Sequence, residues 1–516
     1  MFLETLGVPV AALLVLFILV LSFALFHPNH LQDDRKHPPG PKALPIIGNL
    51  HILGKLPHRT LQALAKKYGP IMSIKLGQVP TIVVSSPETA ELILKTHDTV
   101  FASRPKNQAS EYMSYGNKGM AFSEYGPYWR MVRKLCTTQL LSASKVEMFG
   151  PLRREELVVF VKSLEKVAAS GAVVNVSEQV GELISNTVCK MILGRSKDDR
   201  FDLKGLTRQA LHLTGVFNIA DYVPWAAIFD IQGLKRKFKK TSKAFDQVFE
   251  LIIKDHEDPT DSHKKSVHSE DFVDILLSHM HQAIDQQHEH EHEHVIDRTN
   301  IKAIILDMIA GSVDTSAVAI EWAMSELLRH PRDMKKLQEE LESVVGMNRL
   351  VEESDLSKLT FLNMVVKETL RLYPPGPLLV PRDSLEDITI NGYYIKKKTR
   401  ILINAWAIGR DPKVWSENAE TFYPERFVNS DIDIRGHDFQ LLPFGSGRRG
   451  CPGIHLGLTT FSFVLAQLVH CFDWELPIGI TPNDFDMTET FGLSLPRRKH
   501  LLAIPTYRLS NLEHII

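Results

Sequence analysis

The sequence predicts a mainly α-helical protein with a small mixed β-sheet, preceded by one N-terminal transmembrane helix. Three observations predict it: long amphipathic stretches dominate, strand signals are short and few, and one apolar run stands near the start. Of the 516 residues, 44% are hydrophobic and 23% charged, an ordinary globular balance. Lys and Arg number 60 against 61 Asp and Glu, a net charge of -1, so no basic excess invites nucleic acid.

Residues 8–26 form an uninterrupted run of 19 apolar and small side chains. As a helix rising ~1.5 Å per residue it spans roughly 28 Å, close to the hydrocarbon thickness of a bilayer. A cleaved signal opens on basic residues and has a shorter apolar core; here the early charge is Glu4. Arg35, Lys36 and Lys42 follow the run, so the positive-inside rule leaves the bulk of the chain in the cytosol. The four cysteines, Cys136, Cys189, Cys451 and Cys471, match no zinc or disulfide spacing, in keeping with a reducing compartment. The sequon Asn175-Val176-Ser177 stays bare on that side. Pro38-Pro39-Gly40-Pro41 reads as a stiff, extended connector. The chain divides into a membrane anchor (1–30), a basic and proline-rich connector (31–50) and a catalytic domain (51–516).

Within the domain, Ser86-Pro87-Glu88 supplies a helix N-cap, a first-turn proline and an early acid. Amphipathic stretches follow at 153–167, 242–254 and 322–345. Residues 71–76 and 81–84 read as strands about a Gly77-Gln78-Val79-Pro80 turn. Residues 387–390 and 393–395 flank Asn391-Gly392, a type I′ hairpin signal, and 400–405 adds a strand. The alternating His/Glu tract at 288–294 has no fixed ligand geometry and reads as a solvated loop. Residues 300–328 make an apolar helix into which Asp314-Thr315-Ser316 inserts three polar groups. Buried polar groups need partners, and Thr315 has the Gly311 carbonyl four residues back.

The most informative segment is 444–453, where four glycines and a proline exclude regular structure. Such a loop lets backbone approach a flat ligand and lets N–H groups point at the Cys451 sulfur. The apolar run 456–469 then starts a helix whose dipole favours a thiolate.

Phe444, Gly447, Arg449, Cys451 and Gly453 satisfy Phe-x-x-Gly-x-Arg-x-Cys-x-Gly, which resembles the haem-binding loop of the cytochrome P-450 family. Glu368-Thr369-Leu370-Arg371 matches its Glu-x-x-Arg helix, Pro424-Glu425-Arg426-Phe427 its later arginine segment, and Trp129 and Arg133 its Trp-x-x-x-Arg. The connector and the Phe491-Gly492-Leu493 region look like plant microsomal A-type members. The resemblance implies a cytochrome P-450 fold, haem b (iron protoporphyrin IX) as cofactor, and Cys451 as axial ligand to the iron. It also implies that Arg449, Arg133, Trp129 and Arg382 hold the haem propionates, a task suited to guanidinium forks and an indole N–H. By the same resemblance Glu368, Arg371 and Arg426 form a buried structural triad, and Asp314 and Thr315 handle protons. One departure stands out: Gly311-Ser312-Val313-Asp314-Thr315 carries serine where the family pattern has a second glycine.

Family substrate regions map onto apolar residues that include Phe122, Phe217, Leu378, Leu379 and Phe491, with Gly311 on the helix beside them. The expected activity is monooxygenation of a lipophilic small molecule by an enzyme on the endoplasmic reticulum membrane. Electrons come from NADPH through NADPH–cytochrome P-450 reductase, since no dinucleotide fingerprint is visible. A haem-thiolate isomerase or dehydratase and a non-enzymatic haem protein are the competing readings. The intact Asp314-Thr315 pair speaks for the monooxygenase against both.

Overall fold

The computed structural model describes residues 16–17, 35–195, 202–258, 271–286 and 296–510. The expected anchor lies outside these apart from Leu16 and Phe17, which are helical; the His/Glu tract lies outside them entirely. The body is mainly helical, as predicted. Its principal helices are α1 (Pro57–Tyr68), α2 (Pro127–Gln139), α3 (Gly150–Ala169), α4 (Val176–Leu193), α5 (Leu203–Gly215), α6 (Leu234–Glu257), α7 (Phe272–Gln286), α8 (Arg298–Arg329), α9 (Pro331–Val345), α10 (Thr360–Leu372) and α11 (Ile454–Cys471). The strands are β1 (Ile71–Leu76), β2 (Val79–Val84), β3 (Val174–Asn175), β4 (Arg382–Asp383), β5 (Ile388–Ile390), β6 (Tyr393–Ile395), β7 (Arg400–Ile403), β8 (Phe472–Glu475) and β9 (Leu502–Tyr507).

The main sheet runs β1-β2-β7-β4, with β2 and β7 parallel and the other pairs antiparallel, so it is mixed as expected. The turn between β1 and β2 is tighter than the sequence suggested. Val79 and Pro80 pair with Leu76 and Lys75, leaving Gly77-Gln78 as a two-residue connection. Asn391 and Gly392 both have positive φ, 50° and 77°, which is the type I′ geometry that joins β5 to β6.

A second departure concerns the stretch 322–345. It is two helices rather than one: α8 ends at Arg329 and α9 begins at Pro331. Proline lacks the N–H that a helix interior needs but suits the first helical turn, so the amphipathic pattern runs through the break.

The 32-residue α8 crosses the body and packs against α4, α10 and α11. An Asp297 capping box starts it, with reciprocal bonds to Asn300 of 2.7 and 2.9 Å. Its flanks are buried among the helices of the main core, yet Gly311 and Thr315, one turn apart, keep accessible faces. A smaller core lies between the sheet and residues 90–101.

The connector does not hang free. Ser73 N–H donates to the Pro39 carbonyl at 2.8 Å, Tyr394 N–H to Lys36 at 2.8 Å, and the Arg35 guanidinium lies 3.5 Å over the Tyr394 ring. Residues 35–49 are thus part of the body.

Candidate haem-thiolate site

The loop 444–453 folds back on itself through two backbone bonds, Cys451 N–H to Phe444 carbonyl and Gly450 N–H to Gly447 carbonyl, both 2.9 Å. Gly447 has φ 70°, and a methyl group there would lie 2.2 Å from the Leu94 carbonyl oxygen, so no other residue fits. Phe444 packs against Gly457 of α11, 3.7 Å from where its Cβ would be, and Gly453 caps that helix. Cys451 is thereby presented just ahead of the N-terminus of α11, as the sequence predicted. Its side chain is enclosed by protein yet keeps an accessible face.

Burial pushes the Cys451 thiol up; the Gly453 N–H and the Arg133 charge pull it down without cancelling that effect. The Gly453 N–H acts in the direction expected of the loop, favouring the thiolate, while burial acts against it. A metal cation at the sulfur deprotonates such a thiol outright.

Four arginines cluster around this loop. Arg449 donates to the carbonyls of Ala102 and Ser123, both at 2.6 Å, and stacks 4.2 Å over the Trp129 ring. Arg382 reaches Asp98 at 3.3 Å and the Ser446 carbonyl at 2.8 Å; Arg133 donates to Gly450 at 2.8 Å. The fourth, Arg104, was not anticipated from sequence: it is buried and bonded to the Val380, Pro381 and Ala121 carbonyls. The Trp129 N–H, expected to face a propionate, is given to the Met120 carbonyl at 3.1 Å.

Burial and mutual repulsion hold Arg104 well below its ordinary value and bring Arg449 down to about 9; burial brings Arg382 to about 10, with Asp98 opposing it. Asp98 is the one carboxylate paired with these four among the described residues, and exposed Arg448 shares it at 3.1 Å. A surplus of buried positive charge fits a ligand carrying two carboxylates.

On α8, Thr315 Oγ1 donates to the Gly311 carbonyl at 2.8 Å, the back-bond predicted from sequence. Ser312 makes a similar bond to Met308 at 2.7 Å, so its hydroxyl is turned into the helix. Asp314 accepts from Ser494 and feels Arg208, yet burial raises its carboxyl above the usual range. Asp307, two turns before Thr315, accepts from Ala121 N–H at 2.8 Å, and burial lifts it to about 6. Sequence analysis missed both Asp307 and Ser494.

A cavity of about 730 Å³ opens beside Asp314. Phe122, Phe217, Leu378, Leu379 and Phe491 line it, five of the six residues expected. Gly311 is not among its walls; it shares the accessible face of α8 with Thr315.

Glu368, Arg371 and Arg426 meet as expected. Arg371 forks onto both oxygens of Glu368 at 2.7 and 2.8 Å, and Arg426 Nε lies 2.9 Å away. Carbonyls of Gly409, Ala419 and Thr421 take the remaining Arg371 donors.

Comparison with known proteins agrees with this geometry. The Cytochrome P-450 family's sequence model matches residues 38–504. Cytochrome P-450 CYP736A12 of Panax ginseng is 58% identical, the alignment covering 93% of this chain and 95% of the relative. Cytochrome P-450 71A1 of Persea americana is 44% identical over 90% and 92%, and 71AP13 of Prunus mume 42% over 95% and 94%. The family's haem fits the residues present: a sulfur held at a loop, and three buried arginines with half-buried Arg133, short of anions. The chain belongs to the cytochrome P-450 family of haem-thiolate monooxygenases.

Proposed function

We propose that this protein inserts one oxygen atom from dioxygen into a lipophilic small molecule, a plant specialised metabolite, by hydroxylation. Its electrons come from NADPH through NADPH–cytochrome P-450 reductase, and residues 8–26 anchor it in the endoplasmic reticulum with the domain facing the cytosol. The observation that carries the substrate reading is the 730 Å³ cavity, walled by Phe122, Phe217, Leu378, Leu379 and Phe491 and bordered by Asp314. A mostly apolar pocket with few polar groups binds a greasy ligand and orients it through those groups.

Cys451, through its sulfur, and Arg104, Arg133, Arg382 and Arg449, through their guanidinium groups, would hold haem, which would supply the redox centre for dioxygen. The protein's own residues manage protons. Thr315 spends its hydroxyl proton on Gly311 and so presents lone pairs as an acceptor on the accessible face of α8. The raised carboxyl of Asp314 holds a proton closer to neutral pH than a surface aspartate does.

The test is the visible spectrum of the reduced, carbon monoxide-saturated protein beside Cys451→Ser, followed by NADPH consumption with reductase in a screen of lipophilic compounds. A red-shifted Soret band lost in the variant, with compound-stimulated NADPH oxidation and a hydroxylated product, supports the reading. Haem without that band removes it. The band with reductase-independent turnover of peroxides would favour an isomerase or dehydratase.

A further inference from the structure

The carboxyl of Asp314 on α8 accepts a hydrogen bond from Ser494, 180 residues further along the chain. Ser494 is buried at the tip of a narrow hairpin. Its stem is closed by pairing of Glu489 with Arg497 and by bonds from Thr490 to Pro496 at 2.9 Å and from Arg498 to Thr488 at 2.8 Å. Two contacts pin the hairpin to α8: Arg497 to Ser325 Oγ at 2.5 Å, and Trp322 Nε1 to the Leu495 carbonyl at 2.8 Å. A third ties it to α1, where Arg59 and His58 hold Glu489.

The tip also abuts α5. A methyl group on Gly215 would stand 2.7 Å from the Leu493 nitrogen, so backbone meets backbone there. Arg208, on the same helix, is the charged group facing Asp314. Phe491 and Ser494 both line the cavity. One hairpin thus carries a wall of the substrate space and a hydrogen-bond donor to the acid beside it.

We infer that Ser494 is a positioning residue for Asp314, its hydroxyl fixing the carboxyl on the cavity side of α8. Successive helical side chains diverge by about 100°, so Asp314 and Thr315 leave α8 in different directions. The carboxyl turns toward Thr315 only by giving up Ser494. The donated bond favours the carboxylate while burial favours the acid, so Ser494 sets both where the proton sits and how firmly it is held. This inference rests on the reading of Asp314 as the proton-handling acid.

The experiment titrates the infrared carbonyl band of protonated Asp314, assigned by its loss in Asp314→Asn, in purified protein without turnover. Ser494→Ala raises the apparent pKa by about one unit, the size of one charge-assisted bond. Ser494→Thr restores it, and Ser494→Cys, a weaker donor of similar size, falls between and keeps the comparison open if the alanine variant does not fold. With reductase and substrate, Ser494→Ala yields less product per NADPH. An unchanged titration in folded Ser494→Ala or Ser494→Cys overturns the inference. Absence of the red-shifted carbon monoxide band would sink the oxygenase reading by itself, since the infrared titration needs no turnover.

Discussion

Glu368 holds two guanidinium groups and the Tyr423 N–H on its two oxygens, with no exposed surface of its own. Removing one charge from such a group strands the others. Glu368→Gln is expected to cost about 3–5 kcal/mol, far more than the well under ~1 kcal/mol of an exposed pair. Denaturant unfolding measures it, and a loss below ~1 kcal/mol would reject the triad as a buried unit. Gly447→Ala forces a methyl group onto the Leu94 carbonyl at positive φ, so a drop in melting temperature with loss of haem uptake is expected. At this scale the sequence was legible where chemistry is local: ten consecutive residues announce the Cys451 loop. Arg104 was not, because its partners are carbonyls 17 to 277 residues away. Asp307 and Ser494 escaped because their partners, the Ala121 N–H and the Asp314 carboxyl, lie 186 and 180 residues away.

Elements were legible through their ends. Ser86 caps its helix and Asn391-Gly392 makes its turn because each residue type has one favoured local job. The break at Pro331 was missed because a first-turn proline leaves amphipathic spacing undisturbed on both sides. One cap could not be read from its own segment. Leu359, at the N-cap of α10, has no side chain to offer, and Glu340 of α9 accepts from Phe361 N–H at 2.7 Å and Leu362 N–H at 2.9 Å. A carboxylate supplied across helices also suits the positive end of the α10 dipole. Glu340→Ala is expected to destabilise by about 1–2 kcal/mol, a full capping loss, while Glu340→Gln retains part of it. An effect within ~0.5 kcal/mol, the size of an ordinary surface change, would make the contact incidental.

For the molecule as a whole, the contacts of residues 35–49 tie the connector to the sheet. Deleting 1–49 should lower the melting temperature below that left by deleting 1–34, because Pro39 and Asn49 bond to β1. Equal melting temperatures would show that the connector contributes nothing. Acid tests the other long-range tie. Burial opposes charge on Glu489, but hydrogen bonds from His58 and Arg59 outweigh it and hold the carboxyl at about 2. Burial keeps His58 itself below its ordinary value, so at neutral pH Arg59 supplies the counter-charge. A carboxylate with a folded pKa below its ordinary 4.5 stabilises fully above that value. The contribution fades as pH falls toward about 2. Melting curves of wild type and Glu489→Gln should therefore converge across that window, and a constant gap would deny the linkage.

The four cysteines share one further property. Burial lifts Cys136 to about 12, Cys189 to about 11, and Cys471 and Cys451 above their ordinary range. Oxidants attack thiolates, not thiols. Cys136, Cys189 and Cys471 are also buried, so among these three peroxide meets almost no reactive sulfur.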